Sequence, residues 1–176
     1  MYRYAQVELA LVLAYDIPAE SIGAFRGRIK HFQRIGIVPS SPGKGRKIEY
    51  QKDTVFLWAF CIELAEFGVD PTVIKAVVDS IWTKHLREAF AYENVDPLLF
   101  VTHPSFLSAA ISEKDFFEGL PLDVDPHDSQ PRLVVQSMFN IAGVNRAMII
   151  NITELRVRIL ASLDTAQKPF DGRRTE

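Results

Sequence analysis

The sequence predicts an α+β protein whose N-terminal half is mainly helical and whose C-terminal end forms a small α/β part. Three observations predict this class. Apolar residues recur at helical spacing through most of the first 92 positions, short runs typical of strands follow after residue 97, and glycine or proline separates the segments. With 176 residues and 48% apolar composition, the chain is long enough to bury a core as one domain or two small ones.

A first helix is predicted over residues 4–15. Val7, Leu11 and Ala14 share one face of this helix, and the leucines and valine beside them widen that face. Asp16 and Pro18 are expected to end the helix and to begin a turn.

A second helix is predicted over about residues 19–35, with one apolar face and one small, polar face. The apolar stripe comprises Ile22, Phe25, Ile29 and Phe32. The opposite arc comprises Gly23, Ala24, Gly27, His31 and Arg34. The cations that flank this arc are Arg26, Arg28 and Lys30. A glycine inside a helix costs about 1 kcal/mol relative to alanine. Either the arc admits the close approach of a groove wall, or it is a solvated basic face with incidental glycines.

A basic hairpin is predicted after this helix. Gly36 and Pro39 are expected to stop the helix, residues 40–45 to form a flexible link, and residues 46–50 to form a short strand. The cations of the hairpin are Lys44, Arg46 and Lys47. They are expected to contact flanking phosphates of a nucleic acid.

Positive charge is concentrated in this one stretch of the chain. Residues 26–52 contain eight lysines and arginines and a single carboxylate, Glu49, which gives +7, whereas the whole chain carries −2. Charge placed this unevenly predicts a binding site for a polyanion, and DNA is the first candidate.

The order of these motifs resembles the MerR-type winged helix-turn-helix family. The resemblance covers about residues 29–78 and is carried by IKHFQRIGIVP, GRKIEY and FGVDPTVIKAVV. The matching positions are Lys30, His31, Phe32, Arg34, Ile35, Gly36, Ile37, Pro39, Tyr50, Phe67, Gly68 and Val69. It implies a winged helix-turn-helix domain whose wing is the hairpin, and a later helix that joins two protomers as an antiparallel pair. The chain departs from the family in a longer connection over 16–24 and in His31-Phe32 where two tyrosines are usual, so individual base contacts are not carried over.

Two further helices are predicted behind the basic stretch. The first covers residues 53–67, is apolar almost all round, and has Asp53 as its expected N-cap. Gly68 is expected to end it. Its lone Cys61 is expected to be an inert buried thiol. The second covers residues 71–92, and its second half is expected to leave the domain and meet another copy.

The C-terminal half is predicted to contain three strands and two helices. The predicted strands are 98–103, 132–139 and 146–152, and an Asn-Ile-Ala-Gly-Val-Asn turn joins the last two. The predicted helices are 104–111 and 153–163, and the chain is expected to fray from residue 164. An acidic loop over 113–128 is expected to be solvated, to contact a basic partner, or to mask the DNA-binding face.

Several function classes have no support in the sequence. Lys44 follows a glycine, but position 38 is Val and position 45 is Gly, so the pattern of a nucleotide-binding loop fails. The histidines lack ligand spacing, and no nucleophile or paired-carboxylate motif is evident, so no enzyme, cofactor or metal site is predicted. No uncharged apolar run reaches the roughly 18 residues that a membrane span needs. A lone cysteine is typical of a reducing compartment, here the cytoplasm.

The sequence therefore predicts a dimeric, sequence-specific DNA-binding protein, either a bacterial or a phage-type transcriptional regulator. The predicted parts are a winged helix-turn-helix domain at 1–80, a linking helix with a small α/β dimerisation or partner-binding domain at 81–165, and a flexible tail at 166–176. The residues expected to approach base edges are Arg28, Lys30 and His31. Those expected to contact phosphates are Arg26, Arg34, Lys44, Arg46 and Lys47.

The expected partners are double-stranded DNA and a second copy of the chain, with RNA polymerase or another protein as a further candidate and no membrane. Two alternatives remain open. One is an architectural, excisionase-like or packaging factor that bends DNA without controlling a promoter. The other is a protein-interaction module whose basic face meets an acidic partner.

Overall fold

The computed structural model describes residues 1–38, 48–92, 98–102, 132–136 and 148–171. The helices are α1 (Tyr4–Ala14), α2 (Ile22–Arg34), α3 (Lys52–Glu66), α4 (Pro71–Ile81), α5 (Arg87–Ala91) and α6 (Ile152–Asp171). A short 3-10 turn at Ala19–Ser21 precedes α2, and a π-helical turn at Trp82–Leu86 joins α4 to α5. The strands are β1 (Leu98–Thr102), β2 (Arg132–Gln136) and β3 (Met148–Asn151). The mainly helical α+β class is confirmed.

Contacts divide the chain into two compact units. One contains residues 1–60 and 156–176, and the other contains residues 61–155. The predicted parts 1–80, 81–165 and 166–176 divide the chain at different positions.

The N-terminal unit is built around aromatic and aliphatic side chains of α1, α2 and α3. Tyr50 packs on the buried Trp58 with ring centroids 5.1 Å apart. The hydroxyl of Tyr15 donates a hydrogen bond to the carbonyl of Ala59 at 2.8 Å. The guanidinium of Arg158, in α6, lies 4.9 Å from the centre of the Tyr15 ring. These contacts connect α1, α3 and α6 through a few large rings.

Two glycines end helices as the sequence predicts. Gly36 has φ +77° and Gly68 has φ +78°, in the left-handed region that side chains disfavour. After α2, the amide of Gly36 bonds to the carbonyl of Gln33, and the amide of Ile37 bonds to the carbonyl of Phe32. This pair of bonds is the Schellman motif, which satisfies carbonyls at the end of a helix.

Three predictions about helices need correction. Asp53 lies in the first turn of α3 and is not its N-cap, because the helix already begins at Lys52. The helix predicted over 71–92 is interrupted by the π-helical turn. The last helix does not fray at Asp164 but continues to Asp171, supported by an ion pair between Asp164 and Lys168 at 2.8 Å.

The sheet differs from the predicted pairing of strands 132–139 and 146–152 across the turn between them. Its strand order is β2-β1-β3, so the central strand is β1 and the two later strands do not pair with each other. β1 pairs parallel with β2 and antiparallel with β3, with Thr102 opposite Met148. The paired strands lie far apart in the sequence, so their pairing depends on packing between distant residues. The sequence of the turn before β3 does not indicate that packing.

Some predictions lie outside the described residues. These are the link at 40–45, the helix at 104–111, the acidic loop at 113–128 and the turn at 140–145. The predicted strand 46–50 is described only from residue 48. Within it, Tyr50 alone forms a bridge, and its antiparallel partner is Tyr2, with both N–H···O distances at 2.8 Å. No helix in the described ranges is long and apolar enough to cross a membrane.

Candidate nucleic-acid interface

The inner face of α2 is fixed by packing. Phe25, Ile29 and Phe32 are buried, at 5%, 0% and 1% exposure. The ring of Phe25 lies against that of Tyr15, with centroids 6.3 Å apart. Because these three side chains occupy one side of the helix, the opposite side is turned toward solvent.

The outer face of α2 carries the two glycines. Gly23 and Gly27 are both exposed. A methyl group added to either one would meet no heavy atom of the described residues within 4 Å, its own helix backbone aside. Neither has a positive φ, unlike Gly36 and Gly68. The fold therefore uses no special property of glycine at these two positions.

Two exposed cations of α2 lie near this small face. Arg28 and Lys30 are exposed on α2, two residues apart and so roughly 160° apart around the helix axis. Lys30 lies on the outward side with Gly23 and Gly27, whereas Arg28 lies at the margin nearer the buried stripe. The three hairpin cations are Lys44, Arg46 and Lys47, and they lie outside the described residues.

His31 and Arg34 are hydrogen-bonded to each other. The terminal amino group of Arg34 lies 2.8 Å from Nδ1 of His31. A guanidinium only donates, so Nδ1 accepts and the proton of the neutral ring is on Nε2. His31 thus has an N–H donor at Nε2 that could meet an acceptor on a base edge or a phosphate.

Arg26 makes an ion pair that the sequence did not reveal. Its Nε lies 2.9 Å from both carboxylate oxygens of Glu8, and its terminal amino group is also bonded to that carboxylate. Glu8 belongs to α1 and Arg26 to α2, so the pair joins the two helices. Glu8 is the one charged residue of α1, which the sequence shows. The spacing of residues does not identify its partner.

Tyr50 anchors the described end of the basic segment beside α2. Its hydroxyl accepts a hydrogen bond from Nε2 of Gln33 at 3.0 Å. Burial raises the pKa of Tyr50, and the bond from Gln33 partly offsets that shift. The hydroxyl therefore stays protonated near neutral pH and holds residue 50 against the second half of α2.

The described residues contain little else that suggests chemistry. Burial raises the pKa of the Cys61 thiol well above its ordinary range, which keeps it protonated and unreactive. Within the described ranges, no group of three or more His, Cys, Asp or Glu side chains is arranged to hold a metal ion.

Comparisons with protein-family models, with curated proteins and with solved structures find no match to this chain. The resemblance to the MerR-type family therefore stays a prediction, and the surface of α2 has to be interpreted from its own chemistry.

Proposed function

We propose that this protein is a dimeric, sequence-specific DNA-binding protein that presents the outer face of α2 to a duplex groove. The proposed role is that of a bacterial or phage-type transcriptional regulator in the cytoplasm. The observation that carries the proposal is the pair of exposed glycines, Gly23 and Gly27. They lie on α2, which also carries exposed cations.

The fold does not need glycine at positions 23 and 27. Alanine at Gly23 and Gly27 would meet no steric obstacle among the described residues, and each change would favour the helix by up to about 1 kcal/mol. Two such glycines therefore weaken the isolated protein. A surface that must approach the α2 backbone closely gives a reason for them, since side chains would hold it away.

The charge of this stretch of the chain favours a polyanion as the approaching surface. Residues 26–52 carry +7 within a chain of net charge −2. A duplex supplies both a groove wall for the glycine face and phosphates for the cations beside it. The fold contributes the anchor at Tyr50, which holds the described end of the basic segment next to α2.

The proposed roles are those that the sequence predicts. Arg28, Lys30 and His31 approach base edges, and the Nε2–H of His31 supplies a donor. The phosphate contacts are assigned to Arg26, Arg34, Lys44, Arg46 and Lys47. A dimer is proposed because one small module buries little DNA surface, whereas two copies read paired half-sites about one helical turn apart. RNA polymerase or another protein remains a candidate partner of the C-terminal part.

A second candidate function is a protein-interaction module. The glycines at positions 23 and 27 are four residues apart and lie on one face of α2. A helix of an acidic partner protein would also be able to pack closely against the α2 backbone at these glycines. An architectural DNA-bending factor is a variant of the first function and would bind recombination or packaging sites in place of a promoter.

The salt dependence of DNA binding tests the proposal. If each protomer neutralises about four phosphates, log affinity should fall against log salt with a slope of roughly −7 for the dimer. Fluorescence anisotropy with a random-sequence duplex at 50–200 mM salt measures this slope. A slope near zero would contradict DNA binding and favour the protein partner.

A further inference from the structure

Arg26 of α2 is paired with Glu8 of α1. The side chain of Glu8 is only 14% exposed, whereas the side chain of Arg26 is 48% exposed. The carboxylate accepts from Nε and from a terminal nitrogen of the same guanidinium, which is the bidentate arrangement. The two helices are thereby joined by a polar contact at the edge of the glycine face.

The surroundings of Glu8 favour keeping this pair intact. The hydroxyl of Tyr4 is buried near the carboxylate of Glu8. Burial and the negative charge of Glu8 raise the pKa of Tyr4 to about 12, so the hydroxyl stays protonated and adds no second negative charge beside Glu8. Glu8 is paired directly with the guanidinium of Arg26.

We propose that Arg26 is a positioning residue, held by Glu8 to fix α2 against α1, and that it makes no contact with DNA phosphates. This inference rests on the proposed DNA-binding function and removes one cation from its contact set. The geometry gives the reason. A phosphate that captured Arg26 would take away the cation bonded to Glu8 and would lie close to the negative charge of that carboxylate.

The expected consequence for α2 is orientational. Among the described residues, the ion pair between Glu8 and Arg26 joins α1 to the outward half of α2. The apolar side chains of α2 are buried on the opposite side of the helix. Loss of the ion pair lets α2 rotate slightly about its buried stripe, which displaces the glycine face without removing any phosphate contact.

The slope of log affinity against log salt separates positioning from phosphate contact. We expect R26Q to weaken binding of a random-sequence duplex about two- to tenfold with the slope unchanged. The matched control is K44Q, which removes a proposed phosphate contact and should make a dimer's slope shallower by about 1.8. A similar change in R26Q would overturn the proposal.

The complementary variant frees the guanidinium. E8Q leaves Arg26 in place and removes its counter-charge, so one phosphate contact per protomer becomes available. We expect the slope for a dimer to steepen by about 1.8. An unchanged slope in E8Q would contradict the claim that Glu8 holds Arg26 away from phosphates.

A measurement without DNA keeps the inference distinguishable from the proposed function. Urea midpoints of the wild type, E8Q, R26Q and E8Q/R26Q form a double-mutant cycle, and we expect the double variant to shift less than the sum of the single shifts. Additive shifts of the urea midpoints would show that Glu8 and Arg26 do not join α1 to α2, whatever the result with DNA. A near-zero wild-type slope together with a coupled cycle would overturn the DNA-binding function and the assignment of Arg26 within it, while the ion pair between α1 and α2 would stand.

Discussion

The two faces of α2 are determined by different requirements. On the inner face, Phe25, Ile29 and Phe32 are buried, so the core explains each of them. On the outer face, Gly23 and Gly27 contact nothing that a methyl group would disturb. The inner face therefore shows how the protein is stabilised, whereas the outer face is the one that we propose for binding.

The glycines at helix ends sharpen this contrast. Gly36 and Gly68 adopt positive φ angles, and the Schellman hydrogen bonds at both helix ends require them. Gly23 and Gly27 have no such conformation. The same residue type is explained by backbone geometry at two positions and by neither geometry nor packing at the other two.

The largest expected effect comes from the inner face. Phe32→Ala removes a fully buried ring and should lower the free energy of unfolding by about 3–5 kcal/mol. Urea denaturation followed by circular dichroism measures this loss. The matched control is Phe67→Ala, because Phe67 is 50% exposed and its loss should cost well under half as much. Equal losses would show that burial does not account for the cost of removing Phe32.

The next effect concerns the turn after α2. Gly36→Ala places a side chain at φ +77° and should lower the free energy of unfolding by about 1–2 kcal/mol. Gly36→Asn should cost less, because asparagine tolerates this region better. Thermal or urea unfolding of the three proteins ranks them, and an alanine variant as stable as the wild type would remove the requirement for glycine here.

A smaller effect of opposite sign is expected on the outer face. Gly27→Ala should raise the free energy of unfolding by about 0.5–1 kcal/mol, because alanine favours the helix and the methyl group has open space. Gly23→Ala should behave alike. A destabilised variant in urea denaturation would indicate that the fold needs glycine there after all.

The smallest effect on stability is expected for Lys30→Ala. This exposed side chain should change the free energy of unfolding by less than about 0.5 kcal/mol. If Lys30 approaches a base edge, the variant should lose about 1–3 kcal/mol of preference for its specific site over random duplex. Anisotropy with fragments selected from genomic DNA and with random duplex measures that preference, and an unchanged ratio would exclude base readout by Lys30.

Local features of the fold were predictable from the sequence. The buried stripe of α2 and the helix-ending roles of Gly36 and Gly68 follow from spacing and residue type alone. The last helix was underestimated because its polar residues after Leu163 obscured Ala166, which continues the buried stripe. Helical spacing carries such information only while the apolar residues are frequent.

Long-range contacts were not predictable in the same way. The turn sequence before β3 suggested a hairpin, yet β1 lies between β2 and β3. Glu8 and Arg26 are 18 residues apart in different helices, and only the packing angle of those helices brings them together. The candidate face of α2 was visible in the sequence, whereas the charge that neutralises one of its cations was not.

The double variant Gly23→Ala/Gly27→Ala tests the central claim most directly when unfolding and DNA affinity are measured on the same preparation. The account predicts a protein that is more stable than the wild type and that binds duplex DNA at least tenfold more weakly, since the added methyl groups help the helix and hold the groove away. A more stable variant that binds DNA as tightly as the wild type would contradict it.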